Sequence, residues 1–301
     1  MYLSETAVIS MQVITHLYDP KEIQHFKELG VHGVLLPVSS FSTAVQKSFQ
    51  VMELSSILDI LREQEMHSYL LLNTVIYEHD LSLLEETLRQ LKEYSFDGIV
   101  CFDYTVAIVA KKYNLIHKII YQPGTQNTNL FDPHYFYEQG IKGITVSREI
   151  PFEDIMAIIL HAPDFEISLQ GHGYLEMFYS ARELLTLYQE YKHQPISLKQ
   201  QTSLSIEEEI RPGLHYPIYE DEHGTHIFRP KALQSFQELI VLRPYLNQFF
   251  VSRLFLSDEE HTHALEAILG RTPYQSFLDQ YPHYDSGFYY KKTSQLKGGS
   301  E

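Results

Sequence analysis

The window 216–228, Tyr-Pro-Ile-Tyr-Glu-Asp-Glu-His-Gly-Thr-His-Ile-Phe, places three carboxylates (Glu220, Asp221, Glu222) and two histidines (His223, His226) within thirteen positions. Imidazoles beside carboxylates can hold a divalent cation or pass protons. The spacing matches no established metal signature, and the plainer alternative is a hydrogen-bonded turn. Tyr216 and Ile218 alternate into the acidic run, His223-Gly224 supply a turn, and Thr225 to Phe228 lead out, which predicts a β-hairpin with a polar tip.

Such a hairpin needs a scaffold. Short apolar runs at 13–17, 33–38, 68–75, 98–103, 118–122, 143–147 and 165–170 alternate with helical stretches at 19–29, 53–64, 81–94, 105–112 and 152–160. A repeat of roughly 30 to 40 residues is what β/α units require. A helix is predicted over 176–191, the polar stretch 195–206 reads as extended, and a last strand at 248–255 precedes a helix capped at Ser257 and ended by Gly270. The pattern predicts an α/β fold, a (β/α)8 TIM-like barrel with a helix and β-hairpin insertion between strands 7 and 8. The barrel is expected over 1–280 with the insertion at about 172–247, followed by an aromatic C-terminal segment and flexible tail over 281–301. Tyr281, Tyr284, Phe288, Tyr289 and Tyr290 in that segment suit either an interface or packing back onto the barrel.

In a (β/α)8 barrel, chemistry gathers at the carboxyl ends of the strands. The polar residues there are His16, Asn73, Asp103, Gln122, Gln126, Arg148, Glu149, Gln170, His172 and Arg253. Asp103, Glu149 and His172 are candidate acids or bases, while Arg148 and Arg253, with Asn73 and Gln126, suit an anionic substrate. The hairpin hangs its own His223, Thr225 and His226 over the same end. Each of these residues has a structural alternative as a cap or strand-end hydrogen-bonder. There is no Gly-x-Ser-x-Gly, phosphate-binding glycine loop or His-Glu-x-x-His, so no mechanism follows from motifs alone.

Composition sets outer bounds. With 301 residues, 44% hydrophobic and 21% charged, the chain can build a full core. It has no long apolar span and no basic-then-apolar N-terminus, so neither a membrane helix nor a signal peptide is expected and the cytoplasm is the default compartment. A formal charge of -16 repels a phosphate backbone, which disfavours unaided gripping of nucleic acid. Cys101 is the single cysteine, in the apolar run Ile99 to Phe102, so it reads as a buried thiol; the chain cannot form an internal disulfide or hold an iron-sulfur cluster with its own thiolates.

Six segments carry a resemblance: Glu166 to Gly171 followed by Tyr179 to Leu185, Gly124 to Asn127, Ser147 to Ile150, Glu220 to Phe228, and Val251 to Arg253. In consistent order over roughly residues 10–270, they resemble the collagenase-like peptidase family U-32 (peptidase U32). Cysteine-poor, acidic members of the family resemble the TrhP-type proteins of Gram-positive bacteria, implicated in prephenate-dependent conversion of wobble uridine in tRNA to 5-hydroxyuridine. The resemblance implies a subunit of a heteromeric hydroxylation complex in which a cysteine-bearing paralogue holds the iron-sulfur cluster and tRNA is met through the complex. Glu183 stands where one cluster cysteine belongs. Prephenate as co-substrate is a dicarboxylate, which Arg148, Arg182 and Arg253 would suit. The alternatives are a collagenase-like peptidase or other hydrolase, resting on Asp221, His223 and His226, or a non-catalytic barrel that binds a partner.

Overall fold

The computed structural model describes residues 11–193 and 197–291; the final stretch of the expected tail and the start of the 195–206 segment lie outside the described residues. Strands β1 (Gln12–His16), β2 (Gly33–Pro37), β3 (His67–Leu72), β4 (Gly98–Cys101), β5 (Ile119–Tyr121), β6 (Gly143–Thr145) and β7 (Glu166–His172) alternate with helices α1 (Glu22–Leu29), α2 (Val51–Glu63), α3 (Leu81–Leu91), α4 (Thr105–Lys112), α5 (Phe131–Glu138) and α6 (Phe152–His161). The segment after β7 holds β8 (Glu176–Ser180), α7 (Leu184–Tyr191), β9 (Ser205–Glu208), β10 (Arg211–Asp221), β11 (Gly224–Phe228), β12 (Ala232–Leu233) and α8 (Phe236–Leu242). Strand β13 (Gln248–Val251) then returns to the barrel, followed by α9 (Asp258–Ile268), α10 (Tyr274–Gln280) and the short β14 (Tyr284–Asp285).

The barrel closes in the order β1-β13-β7-β6-β5-β4-β3-β2, with every neighbouring pair parallel. Its two faces are both apolar, as parallel strands between a filled interior and a helical jacket must be. Ile14, Leu35, Tyr69, Leu71, Val100, Ile120 and Phe250 fill the interior, while Val13, Val34, Leu70, Ile99, Ile119 and Phe249, the alternate residues, pack outward under the helices. Fully burying one such side chain contributes about 1.5 to 3 kcal/mol.

Two local readings change. Residues 176–180 form β8 rather than the start of a helix: Phe178 and Tyr179 pair with Ile227 and His226 of β11, so neighbouring strands override the helical pattern. Helix α8, the crossover from β12 to β13, is hidden in sequence by its brevity. Residues 281–290 lie along the barrel, with β14 parallel to β12 and Tyr284 and Tyr289 buried in the main core.

Candidate functional site

The hairpin β10–β11 pairs Asp221 with Gly224, leaving Glu222 and His223 as its turn, and Asp221 Oδ1 accepts the His223 backbone N–H at 2.9 Å. Gly224 has φ 131°, and a Cβ there would collide with the Ser180 carbonyl of β8, so this turn takes glycine alone. Together β8, β11, β10 and β9 make a four-stranded sheet. Residues from β8 and β11 and from the carboxyl ends of the barrel strands together wall a cavity of about 120 Å³. One water needs about 10 to 15 Å³, so this space takes a small organic molecule rather than a stretch of polynucleotide.

The connection from β2 to α2 forms another wall and is tied to the hairpin. Ala44 N–H and the Thr43 hydroxyl donate to Asp221 (2.9 Å each to Oδ2), and the Tyr219 hydroxyl donates to the Val45 carbonyl (2.9 Å). Asn73, after β3, grips the same loop: its Oδ1 accepts from Thr43 N–H and its Nδ2 donates to the Thr43 carbonyl, both at 3.0 Å.

Of the arginines expected at the site, Arg148 alone lines the cavity. It donates to Gln170 Oε1 (2.7 Å) and to the Glu176 carbonyl (3.1 Å), its Nε is buried without a hydrogen-bond partner, and among the described residues no carboxylate pairs with it. Burial lowers its pKa from the usual arginine range, opposed by Glu176 and Glu149. Arg253 is 4% exposed and committed elsewhere, to Glu22 Oε1 (2.9 Å) and Asp258 Oδ1 (2.8 Å) with its guanidinium over Tyr18. Arg182 is exposed on the chain leaving β8 and does not line the cavity. The expected convergence of three arginines is therefore corrected to one, because local carboxylates and the path of β8 hold the other two away.

His226 lines the cavity and is 1% exposed, with Nδ1 2.8 Å from Glu176 Oε2 and Nε2 2.6 Å from Thr43 Oγ1. Its neighbour Tyr179 contacts the imidazole at 4.9 Å between ring centroids and donates its hydroxyl to the His223 carbonyl. His223 and Thr225 do not line the cavity: His223 sits in the turn, and Thr225 donates to Glu220 Oε2 (2.7 Å). Glu220, fully buried, also accepts Leu185 N–H (2.6 Å), Thr186 N–H (2.9 Å) and the Thr186 hydroxyl (2.6 Å), so it tethers the start of α7. Glu220 and Asp221 of the acidic tip thus each tie a neighbouring segment to the hairpin. Among the described residues, no three His, Cys, Asp or Glu side chains are placed to hold a metal ion.

The proposed acids and bases fall outside the cavity. Asp103 accepts Ile76 N–H (3.0 Å) and Thr105 N–H (2.8 Å), a strand-end cap; Glu149 and the exposed Gln126 do not line it. His172 faces outward because of a bulge: Phe250 pairs with Gln170 but Val251 pairs with His172, so the extra residue Gly171 reverses the side-chain alternation. Its ring stacks on Tyr284 at 4.9 Å and meets Phe236 and Phe277, both ring nitrogens lack partners, and burial pulls its pKa down to about 3. His16 does line the cavity; burial, then the Arg253 charge, lower it to about 4, so it is neutral at pH 7. No local signal marks Thr43 or Glu176, both central: Thr43 lies in a connection without periodicity, and Glu176 opens a stretch with a helical pattern. The polar strand-end positions Asn73, Gln122 and Gln170 do meet at the cavity, as the fold rule requires.

Cys101 is buried in β4, its thiol pushed up by burial and by Asp103, and does not fit an iron-sulfur cluster. No helix of the described chain is long and apolar enough to cross a membrane.

Comparison with known proteins agrees in fold and sequence. The chain is 26% identical over 215 residues to tRNA hydroxylation protein P2 of Bacillus subtilis (strain 168), covering 70% of this chain and 69% of that protein. It is 24% identical over 209 residues to tRNA hydroxylation protein P of Escherichia coli (strain K12), and there spans only 46% of the relative's length. A solved U32 peptidase structure aligns with a TM-score of 0.50 at 12% identity, over 84% of this chain and 96% of that one, a likeness of fold alone. Residues 18–245 match peptidase family U32, and the chain belongs to that family.

Proposed function

We propose that this chain is a cytoplasmic subunit of a tRNA hydroxylation complex that converts wobble uridine to 5-hydroxyuridine with prephenate as co-substrate. The observation that carries the reading is the cavity around Arg148: a guanidinium without a carboxylate partner, at the mouth of a barrel too narrow for RNA, suits a small carboxylate. The likeness to tRNA hydroxylation proteins P2 and P supplies the reaction class. In this reading the redox centre belongs to a cysteine-bearing paralogue, since the one thiol here is buried. The acidic charge of -16 fits a subunit whose partner meets the tRNA.

The test is the nucleoside composition of tRNA from a strain lacking this gene, complemented with the native gene or with Arg148→Ala. 5-Hydroxyuridine and its derivatives should fall in the deletion, return with the native gene and stay low with the variant. Unchanged 5-hydroxyuridine in the deletion and in a double deletion with the paralogue overturns the reading.

A further inference from the structure

The cavity's anion-binding group and its imidazole are joined through one residue. Glu176 accepts Arg148 Nη2 on its backbone carbonyl at 3.1 Å and faces His226 Nδ1 with its carboxylate at 2.8 Å. From His226 the chain of hydrogen bonds continues through Nε2 to Thr43 Oγ1 at 2.6 Å and on to Asp221 at 2.9 Å. Asp221, His226 and Thr43 are all at least 95% buried, whereas the Glu176 side chain, 27% exposed, is the end open to the cavity. Thr43 has a single hydroxyl proton and two neighbours able to accept it, Asp221 and the imidazole. Passing the Nε2 proton to Thr43 Oγ1 as the hydroxyl proton passes to Asp221, or the reverse, moves one proton along the chain without moving a heavy atom. A turn held only for stability needs neither the second acceptor nor an end open to a cavity.

We propose that Glu176, His226, Thr43 and Asp221 form a proton relay serving a small carboxylate bound at Arg148. The inference rests on the reading of the cavity as a carboxylate site but not on tRNA hydroxylation. The relay already contains two carboxylates, one at each end; a third, brought by the ligand beside Glu176, makes it hold a proton more tightly, so binding is accompanied by proton uptake. The other titratable groups facing this region are Arg148, with Glu149 beside it, Tyr179 on the imidazole face with Tyr77 against it, and His16 across the cavity lining. His16, lowered to about 4, stays neutral near pH 7 and does not supply the uptake.

Calorimetric titration of the full chain with prephenate near neutral pH, in buffers of differing ionisation enthalpy, counts the protons exchanged. The native chain should take up protons and bind more weakly as pH rises. His226→Gln and Glu176→Gln should bind prephenate while losing the dependence on buffer; Glu176→Gln keeps an acceptor for Nδ1 and decides the matter if His226→Gln does not fold. Arg148→Gln should lose binding. Prephenate binding to the native chain without proton uptake, or uptake that persists in Glu176→Gln, overturns the relay and leaves the carboxylate site standing. Absence of prephenate binding overturns the relay and the carboxylate reading together, whatever the tRNA nucleosides show.

Discussion

Arg148 and His172 show how differently two polar side chains near a strand end can be used. Arg148 keeps a charge at the cavity with neutral partners only, so its removal should cost the charge-assisted hydrogen bonds it offers a ligand. Arg148→Ala should weaken prephenate binding by about 10- to 100-fold, the equivalent of roughly 1.5 to 3 kcal/mol, read by titration, with the unfolding temperature little changed. His172 offers nothing to the cavity and leaves both ring nitrogens unpaired among aromatic rings. Its folded pKa of about 3, and that of His16 at about 4, lie below the ordinary value of 6.5. Between those values and 6.5 the unfolded chain binds the extra protons, so stability is complete above that window and falls as pH drops through it. The slope is at most about 1.4 kcal/mol per pH unit for each histidine. His172→Phe should therefore flatten the decline of the urea midpoint below pH 6.5 and leave neutral stability equal or higher; a steeper decline would show that the imidazole has an unrecognised partner.

At the scale of elements, the hairpin's acidic residues hold neighbouring segments in place. Glu220 caps α7, a helix with no fully buried side chain of its own, through two backbone N–H groups and two hydroxyls. Glu220→Ala leaves those donors, half-buried at Leu185 and Thr186 and buried at Thr225, without their acceptor and should destabilise the chain by about 2 to 4 kcal/mol, with amide exchange at Leu185 and Thr186 accelerated more than in the barrel strands. The hairpin was legible because alternation and a His-Gly turn are local signals. The strand 176–180 was not, since its pairing with β11 joins residues almost 50 positions apart (His226 with Tyr179) and leaves no periodic trace strong enough to compete with the helix former that follows.

For the whole molecule, a closed barrel hides its interior and leaves recognition to surfaces at its carboxyl end. The overall charge of -16 then governs what approaches. The isolated chain should fail to retain tRNA in a gel-shift experiment at physiological salt, and a mixture with the cysteine-bearing paralogue should retain it; retention by this chain alone would locate a basic groove that the net charge conceals.

By itself, the sequence determined the alternation of strands and helices, the (β/α)8 architecture and the hairpin, because each follows from local periodicity or turn chemistry. Only the tertiary structure decided which strand-end residues share a cavity. A one-residue bulge at Gly171 turns His172 outward, Glu22 and Asp258 claim Arg253, and Thr43, Glu176 and His226 meet from three separate segments. Those outcomes depend on strand register and on partners far apart in the chain, neither of which composition or spacing encodes.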